Sequence, residues 1–193
     1  MPSTMIHLLT AYQLEPEATG LFWAGSFAPD YTNDREKKDT IHLRLIPNRF
    51  DALAKMYDPG ANDFERGWFL HLFTDACWDE AQLPAYIEWF TTANFGGNWF
   101  SHYREEIGAV SYGLYHSRPW AKGVWELIRD ADLTAVKTTL PVTPEENGWY
   151  RDRVARKHAE SDPAQTPRFY TEEMVTVFAE ETAKWYRKWA AEF

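Results

Sequence analysis

The chain has 193 residues, of which 45% are hydrophobic and 17% aromatic, and its formal net charge is −9. This length suits one domain with a full hydrophobic core, and this composition excludes a disordered chain. The negative charge argues against binding to a nucleic-acid duplex, and the single cysteine, Cys77, excludes an internal disulfide.

The first half of the chain predicts a series of short helices. Ser3 is a candidate N-cap for the first helix, and Pro16 is a candidate first residue of the second. Residues 30–41 are polar and charged, and they predict a loop that leads into His42. Another helix is predicted to begin near Asn48.

The second half of the chain also predicts helices. Asn62 or Asp63 caps a central helix, and Pro84 predicts the start of a separate one. Further helix starts are predicted at Trp99, at Arg118–Pro119, at Thr143 and near Thr171. Residues 133–142 have a strand-like composition, but the segment is too short and isolated to predict a sheet. The sequence therefore predicts one all-α domain, a multi-helix bundle that covers residues 1–193.

The absence of two sequence features, a secretory signal and a membrane span, bears on the expected cellular location of the protein. The N-terminal residues lack the basic and apolar pattern of a secretory signal, and no window approaches the roughly eighteen apolar residues of a membrane span. We therefore expect a cytoplasmic protein with no transmembrane segment, and the sequence leaves its oligomeric state open.

The stretch from Gly67 to Trp78 is apolar almost throughout, but it contains His71 and Asp75, four residues apart. On a helix these two side chains lie on the same face, in apolar surroundings. An unpaired buried carboxylate is very costly, so Asp75 requires a cationic partner. A divalent metal, a buried arginine and a capped helix end each meet this requirement, and histidine with carboxylate is a usual ligand combination for zinc.

His102 and Glu106 form a second pair with the same spacing. Two such pairs on two helices can build a two-metal site, but this spacing is also typical of a solvated helix face. Taken singly, His7 is typical of a core histidine, Asp30 of a turn residue and His42 of a loop residue. A metal site is predicted only from their combination.

This combination resembles the bacterial zinc-dependent phospholipase C family, whose fold the S1/P1 nucleases share. The resemblance depends on four features in chain order: His7 in the first helix, the Gly-Ser-Phe-Ala-Pro-Asp segment at 25–30, His42 after a charged loop, and Gly67-x-x-x-His71-Leu72-x-x-Asp75-x-x-Trp78. It covers the chain to about residue 80, and the remainder resembles only a helical protein of suitable size.

The resemblance implies an all-α fold of the phospholipase C and P1 nuclease type, with zinc ions held in a cleft. By matching position it implies a set of metal ligands from residues 7–106, namely His7, Asp30, His42, His71, Asp75, His102 and Glu106. It also implies a hydrolase that acts on a phosphoester through a zinc-activated water. Asp30 or Asp75 would hold that water and accept its proton.

The expected number of metal ions follows from two departures from the family pattern. The three-zinc members use the amine of an N-terminal tryptophan and a further histidine shortly after the His-x-x-x-Asp motif. This chain has Met1 at its first position and Trp-Asp-Glu at residues 78–80. We therefore expect one or two zinc ions, although His/Asp sites also accept other divalent metals.

Two interpretations from different classes follow. The first is a zinc-dependent hydrolase whose substrate is a small molecule or phosphoester that the sequence does not identify further. The alternative is a non-catalytic α-helical protein that retains the fold with at most a structural metal. A phosphohydrolase of the HD type is excluded, because that class needs an adjacent His-Asp pair and the chain contains no His-Asp dipeptide.

Overall fold

Helices account for every regular element of the protein. The computed structural model describes residues 1–193 and contains nine α-helices, two short 3-10 helices and no β-strand. The α-helices are α1 (Thr4–Leu14), α2 (Gly20–Gly25), α3 (Arg35–Ile41), α4 (Arg49–Met56), α5 (Asp63–Ala93), α6 (Trp99–Ser117), α7 (Pro119–Asp130), α8 (Pro144–Ala159) and α9 (Glu172–Ala190). The 3-10 helices are Ala28–Tyr31 and Leu133–Ala135. The all-α prediction is confirmed.

Side-chain caps set several of the helix starts. The side chain of Asn62 accepts a hydrogen bond from the backbone N–H of Glu65, whose carboxylate accepts one from the N–H of Asn62. Thr143 and Glu146 form the same reciprocal pair at the start of α8, and Thr171 caps α9. These bonds satisfy N–H groups that have no partner within the helix. The predicted starts at these three positions are confirmed.

Pro84 does not open a new helix, because α5 continues through it as far as Ala93. Proline has no N–H, so the bond to the carbonyl of Glu80 is missing. Residues on both sides of this point are nevertheless buried in the core, including Trp78 before it and Tyr86 after it. Their burial holds the helix together across the proline, which is itself exposed.

The predicted loop at residues 30–41 is also wrong, because α3 occupies residues 35–41, which include its entire second half. The side chain of Asp34 caps this helix by accepting a hydrogen bond from the backbone N–H of Lys37. Ile41 is the one buried residue of α3, so the helix has no hydrophobic periodicity that a sequence pattern would reveal.

One smaller difference concerns the start of the second helix, whereas residues 133–142 agree with the expectation that they form no sheet. The second helix begins after a cap at Thr19 rather than at Pro16, since the Thr19 hydroxyl accepts a hydrogen bond from the N–H of Phe22. Residues 133–142 contain a 3-10 turn and no strand.

The first half of α5 lies at the centre of the hydrophobic core, which consists of 40 buried residues. It is contacted by α1, α2, α4, α6 and α9. Gly25 on α2 and Gly67 on α5 allow an especially close crossing. A Cβ atom at Gly67 would overlap the carbonyl of Phe22, and one at Gly25 would overlap that of Phe64. None of the helices combines the length and the apolar composition needed to cross a membrane.

Candidate metal centre

Five polar side chains meet inside the core. His7 lies on α1, Asp30 on the first 3-10 helix, His42 directly after α3, and His71 and Asp75 on α5. All five are buried, and Asp30 is the most exposed, at 7%. Potential ligand atoms of His7, His71 and Asp75 lie within 4.8 Å of one another, and so do those of Asp30, His42 and His71. His71 therefore belongs to two overlapping groups of donors.

Two of these histidines are oriented by backbone carbonyls. Nδ1 of His71 donates to the carbonyl of Ser26 at 3.0 Å, and Nδ1 of His42 donates to the carbonyl of Lys38 at 2.8 Å. Because a carbonyl oxygen only accepts, Nδ1 carries the proton in both rings, and Nε2 of the neutral ring has a free lone pair. Hydrogen bonds of this kind fix the ring orientation of most metal-binding histidines.

The free nitrogens of these two rings face each other. Nε2 of His42 lies 3.3 Å from Nε2 of His71, a distance at which two lone pairs repel unless a proton or a cation accompanies them. Asp75 Oδ2 lies 3.3 Å from Nε2 of His42 and 3.7 Å from Nε2 of His71. Asp75 Oδ1 is 3.5 Å from Nε2 of His7, and Asp30 Oδ1 is 3.5 Å from Nε2 of His42. The donors therefore converge on a small volume.

Several atoms of the cluster have no hydrogen-bond partner. They are both carboxylate oxygens of Asp75 and both ring nitrogens of His7. Buried polar atoms in folded proteins are nearly always paired, so unpaired atoms at one point require an explanation. Carboxylate oxygens and imidazole nitrogens are ligands that zinc and similar divalent metals accept. These residues fit a divalent cation.

The electrostatics favour the metal-binding protonation states of the two carboxylates and of His71. Burial raises the pKa of Asp75, but attraction to His42 and the neighbouring histidines outweighs it, and the pKa is lower than usual. The pKa of Asp30 lies well below its ordinary value because attraction to Lys38 and His42 outweighs its burial. Burial, together with repulsion from His7, holds the pKa of His71 well below its usual range. Both carboxylates are therefore ionised while His71 is neutral.

Lys38 is a residue of this site that the sequence prediction missed. Its Nζ lies 2.6 Å from Asp30 Oδ1, and its side chain is 23% exposed, so it marks the solvent edge of the cluster. Lys38 precedes His42 by four residues at the end of α3, which places the two on one helix face. This spacing is a usable signal, but only once the segment is recognised as a helix.

Comparisons with protein-family models, with curated proteins and with solved structures found no match. The function of the cluster therefore has to be inferred from its own geometry and chemistry.

His102 and Glu106 do not join the five residues. The Glu106 carboxylate accepts hydrogen bonds from the backbone N–H groups of Arg168 and Phe169, each at 2.8 Å. The His102 ring packs against Phe90, with 5.2 Å between ring centroids. The potential ligands that the structure brings together therefore run from residue 7 to residue 75 and do not include the pair on α6.

A half-buried arginine, Arg49, lies near Asp75, but it does not neutralise the Asp75 carboxylate. Arg49 donates to the backbone carbonyl of Asp75 at 3.4 Å and to the carboxylate of Asp79 at 2.8 Å. The amine of Met1 also pairs with Asp79, at 3.1 Å. Asp79 thus has two cationic partners, Arg49 and the amine of Met1, whereas the ion-pair contacts of Asp75 are with histidines alone.

Proposed function

We propose that the protein is a metal-dependent hydrolase of phosphoesters. Its five clustered side chains would hold one or two divalent cations, with zinc as the first candidate. The observation that carries the proposal is the pair of facing Nε2 atoms of His42 and His71 beside the unpaired carboxylate of Asp75. The residue pattern between His7 and Trp78 and the all-α architecture support a fold of the phospholipase C and P1 nuclease type as part of the same proposal.

The charges of the site support a divalent ion. Two ionised carboxylates are buried there, and the Lys38 ammonium at the edge offsets only one of them. The carbonyls of Ser26 and Lys38 hold two imidazole rings with Nε2 pointing inward, so the ligand atoms need little reorganisation on binding. A bound divalent cation supplies Lewis-acid chemistry, because it acidifies a water ligand and withdraws charge from a phosphoryl oxygen.

We assign roles in the proposed reaction to the protein's own residues according to how exposed each side chain is. Asp30 is nearest to solvent, so we assign it the role of orienting the attacking water and accepting its proton. Lys38 is placed to bind the phosphate anion as a point charge at the site edge. Asp75 is fully buried among the three histidines and is assigned to holding the ligand set.

The test combines metal analysis with turnover. Protein purified without a chelator or a nickel column is analysed for metals and assayed on p-nitrophenyl phosphate and bis(p-nitrophenyl) phosphate. We expect at least one equivalent of a divalent metal, and activity that is lost with chelator and restored with zinc. His71→Ala should lose both metal and turnover, since His71 belongs to both donor groups. His116→Ala, an exposed histidine outside the cluster, is the matched control and should change neither.

The complete burial of His42 and Asp75 favours one competing function, a structural metal in a non-catalytic protein. Structural zinc sites are closed, whereas catalytic ones keep a position open to solvent. Stoichiometric metal without turnover on both phosphoester classes would support this second function. Protein that neither retains nor takes up a divalent metal would contradict both functions.

His102 and Glu106 on α6 are predicted to lie outside the ligand set. The variants His102→Ala and Glu106→Gln should therefore keep their metal, and a loss of metal in either variant would add that pair to the ligand set.

A further inference from the structure

The five clustered side chains are closed off from solvent. None of them is more than 7% exposed, so a cation reaches the donor atoms only if a neighbouring segment moves. The helix α3 brings two groups to this region. His42 directly follows its last residue, and Lys38 pairs with Asp30 at the solvent edge. A movement of α3 would therefore uncover the cluster.

The helix α3 is only loosely attached to the rest of the protein. It has seven residues, of which Ile41 alone is buried, and its main contact is the first 3-10 helix. An open groove of about 660 Å³ lies between α3 and other residues that include Trp68 and Pro141. Lys37 pairs with Glu146 at 3.5 Å, but both side chains are 41% exposed, and such pairs contribute little. Segments with few buried contacts open locally at a cost far below that of global unfolding.

The buried anchor of α3 consists of Ile41, His42 and Leu43, and it contains two unfavourable features. Leu43 has a φ of 55°, in the left-handed region that residues with a Cβ atom rarely adopt. Nε2 of His42 lies 3.3 Å from Nε2 of His71, where two lone pairs repel unless a proton or a cation accompanies them. A cation bound to His42 would remove this repulsion and hold the anchor in place.

We propose that residues 34–43 form a strap that opens in the ion-free protein and is closed by the divalent cation that binds His42. This inference rests on the cation site of the proposed function and adds a means of regulating it. The ion enters while the strap is open. The strap then closes over the ion, because His42 is a ligand that α3 itself carries.

Hydrogen–deuterium exchange of the whole chain tests the strap, with zinc as the probe and with metal content measured on the same samples. In chelator, amides of residues 38–43 should exchange much faster than those of residues 68–78 at the centre of α5. An ion that binds only the closed strap lowers the open population about 100-fold at a free concentration about 100 times its Kd. Zinc should therefore slow exchange in the strap by at least about tenfold.

The variant His42→Ala removes the one donor that follows α3 and keeps the donors on α1 and α5. Its strap should exchange rapidly both in chelator and in zinc, while slow exchange in residues 68–78 reports that the variant is folded. Glu36→Gln changes an exposed residue of α3 and is the matched control, so zinc should protect its strap as in the wild type. If His42→Ala does not fold, the comparison of wild-type protein in chelator and in zinc still decides.

Limited digestion with trypsin gives a second measurement, because the strap contains Arg35, Lys37 and Lys38. Proteolysis follows the population of the open segment when opening and closing are fast. Zinc should slow cleavage at these residues at least about tenfold in the wild type and leave it unchanged in His42→Ala.

Four outcomes would overturn the strap. Slow exchange of residues 38–43 already in chelator would show that the ion-free segment stays closed. Equal protection by zinc in His42→Ala and the wild type would assign the effect to general stabilisation. Zinc uptake without a change in the strap would contradict this inference and leave the proposed hydrolase standing. A protein that takes up no divalent metal would contradict both.

Discussion

Individual histidines of this protein differ in what their ring nitrogens contact. In His42 and His71 a backbone carbonyl holds Nδ1, and the free nitrogens face each other. His158 is also buried, but both of its nitrogens are satisfied. Its Nδ1 donates to the carbonyl of Val154 at 2.9 Å, and its Nε2 accepts from the Ser111 hydroxyl at 2.8 Å. His158 is therefore a structural residue that joins α6 to α8.

His158 makes the stability of the fold depend on pH. Burial lowers its pKa to about 4, whereas an unfolded chain titrates near about 6.5. Between these values the unfolded state binds a proton that the folded state excludes, so stability falls as the pH falls through this window. The loss from this residue should reach about 3 kcal/mol. Urea unfolding between pH 7 and pH 4 measures it, with His158→Gln as the non-titrating reference. Identical pH slopes in both proteins would contradict the assignment.

The sequence predicted the five clustered residues because their types and order matched a family pattern, and the structure brings them together. That they bind a metal stays a prediction. A four-residue spacing shows which residues share a helix face but not what that face meets. His71 and Asp75 sit in an apolar run that indicates burial, whereas Glu106 sits among polar residues and is used by the backbone of residues 168–169.

At the scale of elements, the crossing of α2 and α5 positions the site. Ser26, which orients His71, directly follows Gly25, and Gly25 and Gly67 allow the two helices to touch through their backbones. Any side chain at these glycines pushes the helices apart. The clustered residues on α5 and the segment that carries Asp30 are therefore held in register by two residues without side chains.

Gly67→Ala should destabilise the protein strongly, because the added Cβ would overlap the backbone of Phe22 and Ser26. We expect a loss of about 2–4 kcal/mol in the free energy of unfolding, as for other overpacked or strained core positions. Urea unfolding at pH 7 measures this loss.

Gly123→Ala on α7 is the matched control, since a Cβ there meets nothing within 4 Å. It should stabilise the protein by about 0.5–1 kcal/mol through helix propensity. A neutral Gly67→Ala variant would contradict the close crossing.

The elements that the sequence predicted well are those with a local signal. Reciprocal caps at Asn62 and Thr143 involve residues three apart, so a short pattern contains the whole interaction. The helix α3 was missed because its local sequence signal is limited to a cap at Asp34 and one buried residue, Ile41. The continuation of α5 through Pro84 was missed because packing by distant residues overrides a local helix breaker.

For the whole molecule, the five clustered side chains come from four separate parts of the chain. His7 is on α1, Asp30 on a 3-10 helix, His42 at the end of α3, and the remaining two donors on α5. An ion that binds all of them binds the folded state and not the unfolded chain. At a free ion concentration about 100 times the Kd, this adds about 2.7 kcal/mol to the free energy of unfolding.

Metal binding should therefore raise the melting temperature by about 5–11 °C for a chain of this size. Circular dichroism at 222 nm follows the transition in chelator and then with zinc added back. His71→Ala should show no zinc-dependent shift, and His116→Ala should shift as the wild type does. A melting temperature that does not respond to any divalent metal would count against a site that bridges these elements.

Pro84 has a mechanical consequence for the whole molecule. At its 31 residues, α5 is about 46 Å long, with His71 and Asp75 on one side of the proline and Tyr86 and Trp89 on the other. The backbone hydrogen bond to the Glu80 carbonyl is missing at Pro84. We therefore expect α5 to bend at this point more easily than elsewhere along its length. The buried His/Asp cluster and the aromatic residues around Tyr86 thus lie on the two halves of one helix. Bending at Pro84 would move the two halves of α5 relative to each other. The backbone hydrogen bonds within each half would stay intact.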